Sequence, residues 1–287
     1  LSSLGLAATT VAAQTLLVQG QDWQPCGALQ RAGKLSPQAH WFSDAAWVKP
    51  AALVAAWLAH PGITLRTGTA VCNLRCTPSS APLWQALGAQ GAVLAEGQAC
   101  VLANAYQARA LLARLMPANE VPKPSAPATD GPLHPVAGQV VYGPWTAEWQ
   151  ALWPALLPEL AQQRPARAVT SASPRDHFCA VNGNGHFIPA VPWGDHGARI
   201  WLSGSTYEHD TPQHPQATPV GIAANLQRLQ QLIPAAAALL AAQHSAGQLQ
   251  AWAGTRCTTQ GRLPWVGAVS PAHAPGLYAC TAMGSRG

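Results

Sequence analysis

Six prolines fall within residues 117–135, and this segment limits the fold of the chain more than any other feature. Proline fixes φ and removes a backbone N–H donor, so such a stretch can neither continue a helix nor run through the middle of a sheet. We predict a linker or an extended crossing segment there. With 25 Gly and 26 Pro among 287 residues, an all-helical bundle is excluded.

A mixture of helices and strands is predicted before the proline segment. Residues 50–60 have helical spacing of apolar residues, with Pro50 in the first turn and Pro61-Gly62 as the stop. The remaining predictions are strands at 63–65 and 69–74, a hairpin of 84–87 with 93–96, a buried strand at 98–103 and a helix at 108–115.

The part of the chain after the proline segment is predicted to be mostly β. The candidates are strands at 136–142, 178–181, 186–190, 198–203, 248–253 and 276–281. The longest helical pattern covers 219–242, with Thr218 as N-cap and Pro234 kinking or splitting it. Asn182–His186 has the spacing of a hairpin turn rather than of a phosphate-binding loop. This order predicts two interleaved layers.

Composition narrows the class of protein. Hydrophobic residues make up 48% and charged residues 9%, which excludes global disorder. The seven cysteines include no C-x-x-C pair and no zinc spacing, so we expect reduced thiols in a cytoplasmic protein and no metal. Residues 1–21 carry no charge, but Ser, Thr and Gln interrupt them, so we expect no membrane span.

The C-terminal forty residues carry the most chemical information. A dinucleotide-binding G-x-G-x-x-G after a strand is absent, as are P-loop, H-E-x-x-H and G-x-S-x-G motifs. The last strand instead runs into Gly284-Ser285-Arg286-Gly287. Such a turn exposes backbone N–H groups that suit an anion or a polarised ring edge.

Several short motifs together resemble those of a known family. In chain order they are Trp47–Ala51, Val101–Asn104, Val136–Val140, Gly204–Tyr207, Ala253–Arg256, Leu263–Gly267 and Met283–Gly287. These look like motifs of FAD-dependent enzymes of the D-amino-acid-oxidase type. Within them the chain is most similar to the oxidoreductase domain of the bifunctional bacterial proteins that make 5-methylaminomethyl-2-thiouridine in tRNA. It departs from the pattern at Ala105, where the family usually has Gly.

The resemblance implies a mixed α+β or α/β chain with a D-amino-acid-oxidase-like two-domain flavoenzyme fold, incomplete because the N-terminal nucleotide-binding βαβ unit is missing. Since residue 1 is Leu and no methyltransferase domain is present, we expect a fragment of a longer protein that alone holds FAD poorly. The implied parts are a poorly matched 1–45, FAD-binding 46–116, the crossing segment 117–135, an antiparallel β substrate domain 136–253 and a return to the FAD-binding domain at 254–287.

The resemblance also implies a reaction. Relatives of this type use FAD to remove the carboxymethyl group from carboxymethylaminomethyl-(2-thio)uridine at the tRNA wobble position and release glyoxylate. A tRNA partner agrees with the net charge of +5, although no Lys/Arg cluster with interleaved aromatics is present. The alternatives are a glycine or secondary-amine oxidase of the same superfamily and a non-catalytic truncated remnant.

The resemblance assigns roles to individual residues. Arg256 would hold the substrate carboxylate, and Tyr207 would supply a nearby hydroxyl. The cofactor-binding residues would be Val71, on a strand near the adenine, together with Ala103, Asn104, Gly284, Ser285, Arg286 and Gly287. From the residues alone, Arg256 fits an ion pair at a strand end equally well, and Tyr207 fits sheet packing.

Overall fold

The computed structural model describes residues 17–31, 40–42, 45–77, 82–115, 133–153, 178–194, 197–209, 215–259, 261–270 and 272–284. The α-helices that lie wholly within the described residues are α1 (Pro50–Leu58), α2 (Ala108–Leu115), α3 (Pro219–Leu232) and α4 (Ala237–Ser245). The strands are β1 (Trp23–Pro25), β2 (Ala28–Gln30), β3 (His40–Phe42), β4 (Ala46–Val48), β5 (Asn73–Thr77), β6 (Leu83–Leu87), β7 (Val93–Gly97), β8 (Cys100–Leu102), β9 (His134–Pro144), β10 (Ala180–Gly183), β11 (Gly185–Trp193), β12 (Ala198–Gly204), β13 (Glu208–His209), β14 (Gln250–Thr258), β15 (Trp265–Ser270) and β16 (Ala274–Thr281).

The chain divides into two compact units. The first takes the described residues within Leu1–Leu65, Gln139–Thr206 and Gln216–Ala253, and the second takes those within Arg66–Gly138, Tyr207–Pro215 and Gly254–Gly287. The strands β9 and β14 are therefore each shared between the units. The assignment of cofactor and substrate roles to the parts of the chain stays a prediction.

The first unit is built on a mainly antiparallel sheet. Its strands follow the order β9-β12-β11-β10-β2-β3, with β2 and β10 parallel. The strands β10 and β11 form a hairpin with Asn184 at its tip, since Gly183 pairs with Gly185. This confirms the predicted turn at 182–186. The helices α3 and α4 bury Leu226, Leu229 and Leu240 in the core of this unit.

Tryptophan dominates that core. The rings of Trp145 and Trp149 stack at 5.4 Å, and Trp149 lies 5.8 Å from Trp201. The Oε1 atom of buried Gln243 accepts from the indole N–H groups of both Trp149 and Trp201, at 3.2 and 2.9 Å. Its amide also donates to the Pro144 carbonyl at 2.9 Å. One glutamine thus satisfies two buried indoles and a strand carbonyl.

The second unit holds two three-stranded sheets. The strands β5, β6 and β7 form an antiparallel meander, and β15 pairs antiparallel to β16, which pairs parallel to β8. The two sheets share one apolar core, which contains Trp84 of β6 and Leu277 of β16. The Trp84 indole also donates to the Pro275 carbonyl of β16 at 2.9 Å. The helix α2 contributes Leu111 and Leu112 to that core.

Most predicted elements are present, with shifted ends. Residues 108–115 form α2 as predicted, the hairpin of β6 and β7 is confirmed, and Ile233-Pro234 splits the long helix into α3 and α4. The Thr218 hydroxyl accepts from the Gly221 N–H at 3.1 Å, which confirms the N-cap. The prediction for 117–135 lies outside the described residues except at its end, where β9 already begins at His134.

Two strand predictions are wrong. Residues 63–65 form no strand, and the strand predicted at 69–74 begins only at Asn73. Both segments have strand-like composition, but they are exposed and gain little from sheet packing. Among the described residues, no helix combines the length and apolar character needed to span a membrane.

Candidate functional site

Arg256 and Tyr207 meet in the second unit. The guanidinium carbon of Arg256 lies over the Tyr207 ring, 4.7 Å from its centroid. Arg256 is on β14 and Tyr207 directly precedes β13, and both of these strands pair with β9. Sheet pairing therefore brings together two residues that are 49 positions apart in sequence. Arg256 lies within its strand rather than at the strand end.

The pair leaves an arginine in a position that suits anion binding. Arg256 is half-buried and Tyr207 is 67% exposed, so the ring covers the guanidinium from the solvent side. A cation over an aromatic face is attracted to it, and a guanidinium is the side-chain group whose planar fork matches a carboxylate. The arrangement places a half-buried cation beside an exposed aromatic ring.

Sequence reasoning missed the third member of this site, Gly138. It is buried on β9, and a Cβ atom there would lie 2.0 Å from Nη1 of Arg256 and 2.5 Å from its Cζ. The guanidinium therefore occupies the space that a side chain at position 138 would need. The only available signal was a glycine inside a strand pattern, which often marks the close approach of another group.

Cys257, next to Arg256, has its side chain in the core. Its Sγ accepts from the Thr281 hydroxyl at 3.6 Å, at the carboxyl end of β16. Burial raises the pKa of the Cys257 thiol, so the neutral form prevails at pH 7. Because side chains alternate along a strand, Arg256 projects from the other face of β14.

A second group of predicted residues gathers at one sheet edge. The parallel pair β8–β16 ends with Leu102 opposite Ala279, so Ala103 and Asn104 follow one strand where Ala282–Gly284 follow the other. Ligands of open α/β sheets bind beyond the carboxyl ends of parallel strands. The structure thus brings Ala103, Asn104 and Gly284 to one edge.

The backbone at this edge adopts uncommon conformations. Ala105 and Ala282 have φ of 52° and 55°, in the left-handed region that costs a non-glycine residue about 1–2 kcal/mol. Asn104 precedes Ala105 with φ −92° and ψ 29°. A near-helical residue followed by a left-handed one aligns successive N–H groups toward an anion. These residues fit one end of a nucleotide cofactor.

The other predicted cofactor residues are not brought into this group. Val71 lies in the irregular segment before β5, so the expectation that it lies on a strand is wrong, although its role near the adenine stays a prediction. The Val71 side chain is 41% exposed. The segment leads into β5, which belongs to the antiparallel meander and not to the sheet of β8 and β16. Ser285, Arg286 and Gly287 lie outside the described residues.

The fold defines a class, the D-amino-acid-oxidase-like flavoenzyme fold. The structure is similar to that of iminodiacetate oxidase from Chelativorans sp. BNC1, with a TM-score of 0.61 and 13% identity over 98% of this chain and 72% of the other. Glycine oxidase from Geobacillus kaustophilus gives a TM-score of 0.59 at 16% identity, over 97% and 70% of the two chains.

The family model for FAD dependent oxidoreductases (DAO) matches residues 7–287, and the chain belongs to this family. It is 34% identical over 324 aligned positions to the tRNA 5-methylaminomethyl-2-thiouridine biosynthesis bifunctional protein MnmC of Polaromonas sp. (strain JS666), covering all of this chain and 45% of that protein. The MnmC of Delftia acidovorans is 38% identical over 86% of this chain and 34% of its own length. The chain thus spans less than half the length of these relatives.

Proposed function

We propose that this chain belongs to an FAD-dependent oxidoreductase that removes the carboxymethyl group from carboxymethylaminomethyl-(2-thio)uridine of tRNA and releases glyoxylate. The observation that carries the proposal is Arg256 beneath Tyr207, a cationic site for the carboxylate of an N-substituted glycine. The MnmC relatives, named for their part in making a modified tRNA uridine, support tRNA as the carrier of that group.

The cofactor would lie at the carboxyl ends of β8 and β16. Ala103, Asn104 and Gly284 would hold it there, with Val71 and the terminal Ser285, Arg286 and Gly287 as further proposed contacts. Bound FAD supplies the two-electron oxidation of the CH–NH bond, the hard chemistry that side chains cannot perform. Hydrolysis of the resulting C=N bond consumes one water and yields glyoxylate and the aminomethyl group.

The chain's own residues would bind and orient the substrate. The Arg256 fork would donate two N–H···O bonds to the carboxylate, which fixes the direction of the neighbouring CH₂–NH group. The Tyr207 ring would shield the ion pair from water, and its hydroxyl would donate to the same carboxylate. Shielding matters because a charge pair is stabilised more strongly as the surrounding dielectric falls.

Arg256→Ala tests the anchor. Its loss should weaken binding of N-methylglycine, a small N-substituted glycine, by about 2–4 kcal/mol because a buried carboxylate would lose its charged partner. Isothermal titration calorimetry measures the affinity. Arg109→Ala is the matched control, since exposed Arg109 also lies beside a tyrosine and donates to the Tyr106 hydroxyl at 3.2 Å. Equal affinity of both variants and the wild type removes Arg256 from this role.

A second candidate function is oxidation of a free small amino acid. It is favoured by the structural similarity to glycine oxidase and iminodiacetate oxidase, whose names describe oxidation of glycine-type compounds. The two candidates separate when the protein is supplied with FAD and either modified tRNA or free N-methylglycine, with glyoxylate measured by mass spectrometry. Faster release from N-methylglycine supports the second candidate, and no release from either supports a non-catalytic remnant.

A further inference from the structure

Gly138 occupies a central position between the two residues of the proposed carboxylate site. The register of β12 on β9 pairs Gly204 with Val140, and that of β13 pairs Glu208 with Ala137. The strands β12 and β13 therefore follow one another along one side of β9, and β14 takes the other side. To reach the Tyr207 ring from β14, the Arg256 side chain must cross β9.

The crossing takes place at Gly138. Neighbouring strands lie about 4.8 Å apart, so a side chain that reaches from β14 to a residue beyond β9 passes over β9. A Cβ at position 138 would lie 2.0 Å from Nη1 and 2.5 Å from both Cζ and Nη2 of Arg256. These distances are below any real Cβ contact. Any side chain at position 138 therefore requires the guanidinium to move.

The backbone conformation of Gly138 gives no other reason for glycine. Its φ lies outside the left-handed region, unlike that of Gly185 or Gly284. The requirement at position 138 is for space alone, and the group that fills this space is the guanidinium. Alanine would adopt the same backbone conformation and would differ only in the atom that meets Arg256.

We propose that Gly138 is a positioning residue for the carboxylate anchor, because its missing side chain lets Arg256 cross β9 and rest against Tyr207. The inference rests on the proposed function of Arg256. It predicts that the orientation of the guanidinium, and with it the affinity for an N-substituted glycine, is set by a residue that does not itself touch the ligand.

Gly138→Ala tests the positioning role. The variant should bind N-methylglycine about 10- to 100-fold more weakly in calorimetry, the loss expected when a hydrogen bond to a charged group is broken. Gly143→Ala is the matched control on the same strand, where a Cβ would meet carbons of Leu249 and Trp201 at 2.9 Å. It should lower the urea midpoint of unfolding and leave the affinity unchanged.

A double-mutant cycle measures the coupling between Gly138 and Arg256 by unfolding in urea, without ligand or cofactor. If Gly138 acts through Arg256, Gly138→Ala lowers the urea midpoint in the wild-type background and loses most of this effect beside Arg256→Ala. If Gly138→Ala alone fails to fold, folding of the double variant supports the inference, and failure of both overturns it. The effect of Gly143→Ala should be the same in both backgrounds.

The results that would contradict the positioning role of Gly138 differ from those that would contradict the carboxylate-binding role of Arg256. If Arg256→Ala loses affinity while Gly138→Ala binds as the wild type, the positioning role is overturned and the proposed anchor stands. If Arg256→Ala itself binds as the wild type, the proposed function is contradicted. Equal effects of Gly138→Ala on the urea midpoint with and without the guanidinium overturn the crossing at position 138.

Discussion

At the scale of single residues, two alanines with left-handed backbone conformations lie beside the proposed cofactor site. Ala105 and Ala282 adopt left-handed φ values directly after the two parallel strands β8 and β16. Such conformations persist where the surrounding structure imposes them, and they are concentrated at ligand sites. At position 105 glycine would adopt this region without a steric cost.

Ala105→Gly should therefore stabilise the protein. Removal of the Cβ relieves about 1–2 kcal/mol of strain and restores about 0.5–1 kcal/mol of unfolded-state entropy, so the net gain is about 0.5–1 kcal/mol. Urea denaturation measures it. The control is Ala103→Gly, because Ala103 lies outside the left-handed region and should lose stability. A loss of equal size at both positions contradicts the strain at Ala105.

At the scale of elements, single polar side chains connect helices to strands. Gln243 of α4 accepts from Trp201 of β12 and from Trp149, and donates to the Pro144 carbonyl of β9. Gln139 of β9 similarly pairs with the backbone of Thr218 before α3, through bonds of 2.8 and 3.1 Å. Each helix therefore has a hydrogen-bonded register on the sheet in addition to its apolar contacts.

Gln243→Leu should destabilise the protein by about 2–4 kcal/mol. The leucine keeps much of the volume, but it leaves two buried indole N–H groups without an acceptor, and each such group costs about 1–3 kcal/mol. Equilibrium unfolding in urea, followed by tryptophan fluorescence, measures the change. Gln230→Leu on exposed α3 surface is the control and should stay within about 0.5 kcal/mol. Equal midpoints for the two variants would contradict the role of Gln243.

At the scale of the whole molecule, buried thiols link stability to pH. All seven cysteines carry free thiols, with Cys179 and Cys257 buried and the others half-buried. Burial raises the pKa of Cys26, Cys100 and Cys257 above the usual thiol range. The folded protein consequently keeps these protons at a pH at which the unfolded chain releases them.

Stability should therefore fall in alkaline solution. The contribution of these thiols is fully present below the unfolded thiol pKa and is lost as the pH rises through the higher folded values. The free energy of unfolding, measured in urea between pH 7 and pH 10, should decrease with pH. Other groups titrate in this range too, so the comparison is with Cys26→Ala/Cys100→Ala/Cys257→Ala. An equally steep decrease in this triple variant contradicts the thiol contribution.

Local signals predicted elements well where the pattern was strong. The helix at 108–115, the split at Pro234 and the turn at Asn184 depend on apolar spacing, on a missing N–H and on Gly conformations, which act within a few residues. The strands β1 to β4, β13 and β15 were not predicted, no strand forms at 63–65, and the strand expected at 69–74 begins only at Asn73. Strands of two to six residues depend on their partners, and no partner can be read from the strand itself.

The same distinction between local signals and long-range contacts applies to the candidate site. The sequence by itself determined the residue types, an arginine beside motifs similar to those of amino-acid oxidases and a Gly-containing strand end. Only the tertiary structure decided that Arg256 meets Tyr207, that Gly138 leaves room for the guanidinium, and that Ala103 and Gly284 share one sheet edge. The physical reason is that pairing of β13 and β14 with β9, and of β8 with β16, joins residues far apart in sequence. Local propensities act over a few positions, whereas these contacts depend on sheet register across the unit.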